Sequence, residues 1–323
     1  MRVGIIYPEM PQWPKLRWVF EALQSLNIEV ERGHSAADFP RLSQECDVLI
    51  LGHKGLGGRW PDLKHHFPLR TAVVVSWWFD LIAVAPPLSL ANQSYMSADN
   101  FRPLMQACDI VFVKEKGMLD EFRELGINAQ YLDQGCPVDV RECVRTPKPE
   151  WDVLVWGQRY VDRMKDAAVL AEAGFKVAWA GDVTPPKGVE RLAWCHPDNL
   201  PELCGKASLV LSSDRRNDLA GYWSDRLWMA LGMGCAVLRH ETPGLRVGPY
   251  LRYANQWELV EKAKTILSVR SGDQAATPTW SPDVLALGKE ARTWCLANHT
   301  LAHRCRELLE KALSVRTAAA QVA

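Results

Sequence analysis

The chain has 323 residues, 48% of them hydrophobic and 24% charged, and its 38 lysines and arginines are balanced by 38 aspartates and glutamates. That length divides into two domains of ordinary size, each able to bury a core, while zero net charge excludes a global electrostatic pull toward nucleic acid or an anionic membrane surface. No run of eighteen apolar residues is present, so no membrane span is expected, and nine cysteines without a Cys-x-x-Cys pair read as free thiols of a cytoplasmic protein.

MRVGIIY at the N-terminus predicts a strand; its apolar run is too short for a signal peptide. A helix follows in WPKLRWVFEALQSLN, where Leu16, Val19, Phe20, Leu23 and Leu26 keep helical spacing. Strands are predicted at IEVERG, CDVLILG, TAVVVSWW and CDIVFV, then a helix at KGMLDEFRELG and a strand at NAQYLD. RTPKPEW, with two prolines and three charges, reads as a linker. Beyond it the alternation restarts with WDVLVWG, a helix through DRMKDAAVLAEAG, and strands at FKVAWAG, ERLAWC, ASLVLSS and GCAVLRH. Helix QWELVEKAKTIL and one long helical pattern from Pro282 to about Leu313 complete the chain, with TAAAQVA as a frayed tail. Near-continuous apolar strands alternating with helices predict parallel sheets covered on both faces, in two doubly wound domains facing one another. Their expected bounds are residues 1–145, 146–315 and a tail at 316–323.

Two stretches of the second half carry the chemistry. WDVLVWG ends at Gly157, a residue that permits close backbone approach, and the turn GQRYVDR opens a helix with Arg159 and Arg163 one turn apart. Two guanidinium groups beside a helix start predict a diphosphate clamp, although an ordinary strand–helix turn has the same appearance. GYWSDRLWMALGMGCAVLRH then supplies Ser224 or Asp225 as N-cap and Arg226 at the positive end of a helix. Leu227, Ala230, Leu231 and Gly234 form its core stripe, which leaves Arg226 and Met229 off that stripe.

The segment SDRLWMALGMGCAVLRHETPGL resembles the C-terminal core of GT-B glycosyltransferases, and most closely the spore-maturation-protein-like group. QWELVEKAKTIL, NHTLAHRCRELL and, upstream, CDIVFVKEKGMLDEFRELGINAQYLDQGCPVD are similar to segments of the same group. The resemblance implies an α/β GT-B architecture of two facing Rossmann-like domains with a long C-terminal helix. Carried onto this chain, Gly157, Gln158, Arg159 and Arg163 fall in the phosphate-side loop. Tyr222, Ser224, Asp225 and Arg226 fall where diphosphate and donor sugar meet the protein. Met229 stands where the family has a ribose-binding glutamate, and a thioether cannot accept the ribose hydroxyls as a carboxylate does. Asp225 or Glu241 is then the alternative acceptor, and His196, in CHPDNLPEL, falls in the turn that meets the base.

Acceptor candidates lie in the first half. His53 and Lys54 stand at the mouth of the glycine-rich loop LGHKGLGGRWPD, and Trp77, Trp78 and Asp80 in SWWFD follow a strand. Tryptophan faces hold sugar rings or bases, and Asp80 or His53 is the expected general base if the reaction inverts the anomeric centre. Glu115 is a third candidate. Core packing of both tryptophans is the competing expectation. His299 and His303 have a metal-compatible spacing but no third ligand, and Cys195, His196 and Cys204 lack finger spacing, so no metal or tightly bound cofactor is expected. The implied activity is metal-independent transfer of a sugar from a nucleotide-sugar co-substrate, a UDP-sugar first, to an acceptor hydroxyl. A glycan, a small molecule or a hydroxymethylated base of phage DNA would each serve as acceptor. A non-catalytic nucleotide-sugar binding module and a sugar-nucleotide epimerase are the rival readings.

Overall fold

The computed structural model describes residues 1–7, 15–52, 56, 60–79, 101–244, 247–267 and 280–322. Chain contacts separate two compact units. The first is Met1–Val138 with Ala220–Tyr222 and Leu301–Ala323, and the second is Asp139–Leu219 with Trp223–Thr300.

In the first unit, β1 (Arg2–Ile6), β2 (Glu29–Gly33), β3 (Val48–Gly52), β4 (Val73–Trp77), β5 (Ile110–Val113) and β6 (Ala129–Tyr131) form one sheet in the order β2-β1-β3-β4-β5-β6. Every pairing is parallel. β3 and β4 are buried along their whole length, as their near-continuous apolar runs predict for strands covered on both faces. Helices α1 (Lys15–Ser25), α2 (Phe39–Glu45), α3 (Trp60–Leu63), α4 (Phe101–Ala107) and α5 (Leu119–Glu124) connect them. α1 buries Trp18, Val19, Ala22 and Leu23 and gives way to Asn27, whose φ of 58° lies in the left-handed region that asparagine tolerates.

The second unit repeats the plan with β7 (Trp151–Trp156), β8 (Val177–Ala180), β9 (Glu190–Leu192), β10 (Ala207–Ser212), β11 (Ala236–His240) and β12 (Leu251–Tyr253). The order is β12-β11-β10-β7-β8-β9, again all parallel. Its helices are α6 (Val161–Glu172), α7 (Leu200–Cys204), α8 (Asp225–Gly232), α9 (Gln256–Leu267) and α10 (Pro282–Asn298). Val153, Val155, Leu209, Leu211, Ala236 and Leu238 of the central strands join Ala167, Leu170, Leu259 and Ala263 of α6 and α9 in one core. α8 closes in a Schellman motif: Gly234 has φ 80°, its N–H donates to the Leu231 carbonyl, and the Cys235 N–H donates to Ala230.

The long C-terminal pattern is two helices rather than one. α10 stops at Asn298, and α11 runs from Leu301 to Val322, through the stretch expected to fray. The break is His299, which leaves helical geometry at φ −136° and ψ 35° with its ring against both Trp228 and Trp294, at 4.4 and 4.2 Å. α11 packs on α1, β3 and β4, which is why Leu301 onward groups with the first unit. All nine cysteines are free and eight are buried. No described helix is long and apolar enough to cross a membrane.

Candidate functional site

In an open parallel sheet, ligands sit beyond the carboxyl ends of the strands where the strand order reverses. In the second unit that reversal lies between β7 and β10. The outlet of β7 is Gly157, at φ 97°, tied down by its N–H to the Ala180 carbonyl (2.9 Å) and by the Trp179 indole N–H to its own carbonyl (3.0 Å). A Cβ at Gly157 would fall 2.7 Å from Nε and 2.8 Å from Nη2 of Arg226. The guanidinium therefore rests directly on the glycine backbone, a contact no other residue type would permit.

Arg226 is the second residue of α8, and Ser224 is the N-cap. The Ser224 hydroxyl makes no cap bond; it accepts a long contact (3.4 Å) from Arg226 Nη1 instead. The first-turn amides of α8 are thus left uncapped by that side chain, with a cation beside them, which is a favourable setting for an anion. Asp225 is half-buried in the same turn. Met229 is buried with the rest of Leu227–Gly232, so its position off the predicted stripe does not bring it to the surface.

The two arginines after β7 behave differently from one another. Arg159 precedes α6 and is exposed, as is Gln158. Arg163 is fully buried: its Nε and Nη2 donate to the Ser213 carbonyl at 3.0 and 2.5 Å, and its Nη1 donates to the Gln158 carbonyl at 2.6 Å. They are not a side-by-side pair, because α6 begins only at Val161 and turns Arg163 inward. Arg163 instead ties the Gln158 turn to the outlet of β10.

That outlet, Ser213–Asp214, is the polar centre that sequence reasoning missed. The Ser213 hydroxyl donates to Asp166 Oδ2 (2.5 Å), as does the Tyr253 hydroxyl (2.6 Å). Asp214 Oδ2 pairs with Arg239 Nη2 at 2.7 Å, both side chains fully buried, and accepts the Ser224 N–H at 3.1 Å. Arg239 also donates to the Ser212 carbonyl (2.9 Å) and the Thr242 hydroxyl (3.1 Å). The only signal in the sequence is polar residues closing apolar strands, as in LVLSSD and AVLRH, and such endings are common.

Burial pushes the Asp166 carboxyl above its ordinary value, against the opposing hydrogen bonds from Ser213 and Tyr253. A raised acid stays protonated in the folded protein at pH values where the unfolded chain has ionised. Stability therefore falls as pH rises from about 3.9 through the folded value. Asp166→Asn keeps an acceptor for both hydroxyls and removes that decline. Urea midpoints of the two proteins should agree below about pH 4 and separate above it, the asparagine variant being the more stable.

His196 caps the 197–199 turn, its Nδ1 accepting the Asp198 N–H at 3.3 Å, and lies edge-on to the half-exposed Trp194 at 5.8 Å. Glu241 is exposed, paired with Arg252 at 3.6 Å, and lines an open cavity of about 430 Å³ with Thr242, Pro243, Gly244 and Ala254.

In the first unit, Trp77 and Trp78 are buried, packed on Phe79 (4.5 Å) and Phe101 (5.7 Å) respectively. Neither offers an open face to a sugar, because a central strand covered on both sides buries successive side chains alike. Glu115 is buried as well. Tyr222 groups with this unit, its ring 4.6 Å from Lys114 Nζ. His53, Lys54 and Asp80 lie outside the described residues. Among the described residues no three His, Cys, Asp or Glu side chains are grouped to hold a metal ion.

Residues 140–310, more than half of the chain, match the family model described as "Glycosyl transferase-like". The chain belongs to the glycosyl transferase-like family. This glycosyltransferase has the two-sheet α/β architecture of GT-B enzymes, and solved structures agree in fold. Sucrose-phosphate synthase from Thermosynechococcus elongatus is 11% identical, with 97% of this chain and 99% of that one covered and a TM-score of 0.65. The DNA modifying enzyme beta-glucosyltransferase is 12% identical over 97% and 100%, with a TM-score of 0.63. A T4 phage beta-glucosyltransferase mutant in complex with UDP-glucose is 14% identical over 97% and 99%, with a TM-score of 0.61. No curated protein sequence matches the glycosyltransferase.

Proposed function

We propose that the second unit binds a nucleotide-sugar, that the first binds the acceptor, and that the sugar passes to an acceptor hydroxyl. One observation carries this reading: the Arg226 guanidinium lies on the Gly157 backbone beside the uncapped start of α8, at the switch point of the sheet. As the glycosidic bond breaks, negative charge gathers on the leaving diphosphate. A fixed guanidinium and fixed amide dipoles stabilise that charge without reorganising. Arg159, exposed beside the Gly157–Gln158 turn, adds a second cation, and no metal is required of the scheme. His196 with the exposed Trp194 face would meet the base, and Glu241 or Asp225 the ribose. Asp80 or His53, which follow β4 and β3 in the chain, would take the proton from the acceptor.

The UDP-glucose complex of the T4 phage enzyme makes UDP-glucose the first donor to test. The DNA-modifying neighbour makes hydroxymethylated DNA an acceptor to test beside glycans and small molecules. The experiment is thermal unfolding with UDP-, GDP-, dTDP- and CMP-sugars. A donor at a hundred times its Kd raises stability by about 2.7 kcal/mol. If no nucleotide or nucleotide-sugar moves the melting temperature, the reading is lost. A donor that binds without hydrolysis or transfer to any acceptor would instead mark a binding module.

A further inference from the structure

The buried Asp214–Arg239 pair is only partly satisfied by its contacts. Both side chains are fully buried, and Asp214 Oδ1 and Arg239 Nε have no hydrogen-bond partner among the described residues. Buried ion pairs of this kind are seldom better for stability than apolar side chains of the same size, and their best-attested use is to fix one arrangement among several. What this pair fixes is visible in its third contact, the Ser224 N–H on Asp214 Oδ2. One residue earlier, Ser213 is held from the other side by Arg163, which also holds the Gln158 carbonyl.

We infer that Ser213–Asp214 is a positioning device for the diphosphate site. Arg163 sets the Gly157–Gln158 turn against Ser213, and the Arg239-anchored carboxylate of Asp214 sets the start of α8 by holding the Ser224 amide. The two anion-facing elements come from separate βα units, and nothing in either segment alone determines their spacing. Arg163, Asp214 and Arg239 touch no substrate in this scheme. They act through Gln158 and Ser224, and a displacement near 1 Å in such a site costs about 10²-fold in rate. The inference rests on the nucleotide-sugar reading above for its consequence, but not for its geometry.

The test replaces the pair by apolar side chains, Asp214→Leu with Arg239→Met, and reads three quantities. The melting temperature should be retained or raised. Amide exchange at Ser224–Leu227, measured without nucleotide, should quicken about tenfold while β7 and β10 stay protected. With UDP-glucose as donor, kcat/KM should fall by about 10²-fold. A folded double variant with unchanged exchange at Ser224–Leu227 and unchanged kcat/KM overturns the inference. If that variant does not fold, Ser224→Pro is compared with Ser224→Ala. Both lose the hydroxyl, but only proline loses the N–H that Asp214 holds. A further loss in the proline variant supports the inference, and equal behaviour overturns it. Exchange is read on the free protein, so failure of every nucleotide-sugar to bind would remove the proposed function and leave this measurement standing.

Discussion

Replacing Arg226 with alanine is expected to lower kcat/KM for the donor by about 10²-fold or more, the usual consequence of deleting one fixed donor from a site of developing negative charge. Folding should be little affected, because the side chain is only half-buried and its hydrogen bond to Ser224 is 3.4 Å long. The physical signature is selectivity for charge. Affinity for a nucleoside diphosphate should fall steeply in the variant, while affinity for the parent nucleoside, which carries no phosphate, should not. Arg226→Lys should lie between the two, since an ammonium keeps the charge but cannot lie flat on the Gly157 backbone. Calorimetric titration of wild type and both variants checks this. Equal losses for nucleoside and diphosphate would place Arg226 away from the phosphates.

Gly157→Ala is expected to produce a comparable loss by a different route. At φ 97° a Cβ is strained whatever surrounds it, at a cost of about 1–3 kcal/mol. Here the surroundings add to it, because the new carbon would sit 2.7 to 3.0 Å from three atoms of the Arg226 guanidinium. That group must move, so donor binding should weaken toward the Arg226→Ala level even where the protein stays folded. The double variant separates strain from collision. With Arg226 already truncated those three collisions are gone, so the Gly157→Ala penalty on kcat/KM should shrink sharply while the backbone strain persists in the unfolding curve. Full additivity in kcat/KM would mean that the two residues do not act together.

The architecture was written locally. VLILG, VVVSW and ASLVLS are nearly continuous in apolar residues because both faces of each strand are covered, and that pattern reads directly as parallel sheet. Gly157 and Arg226 were legible for a related reason: a strand outlet at a glycine and a charged residue in a helix's first turn are features of a few neighbouring residues. The tryptophans were ambiguous because SWW has the same letters whether its rings line a groove or fill a core. Only the covering layer decides, and here Trp77 and Trp78 are inside it. The C-terminal pattern misled because helical periodicity continues across His299, whereas at the break its ring packs against Trp294 of α10 and against Trp228, which lies far away in the chain.

The sequence alone determined the class of fold, the alternation of strands and helices in two series and the family resemblance, since each depends on residues close together in the chain, but it gave no sign of β12 (Leu251–Tyr253). Tertiary structure alone decided which charges face solvent and which are consumed internally. Arg159 and Arg163 are four residues apart and indistinguishable as text, yet one is exposed and the other hydrogen-bonded to Ser213 and Gln158. Asp214, Arg239, Asp166 and Tyr253 become one polar centre only when β10, β11, β12 and α6 are packed together. A charge's partner is set by distance in space, and low dielectric makes that partner decisive; neither quantity is encoded at any single position of the chain.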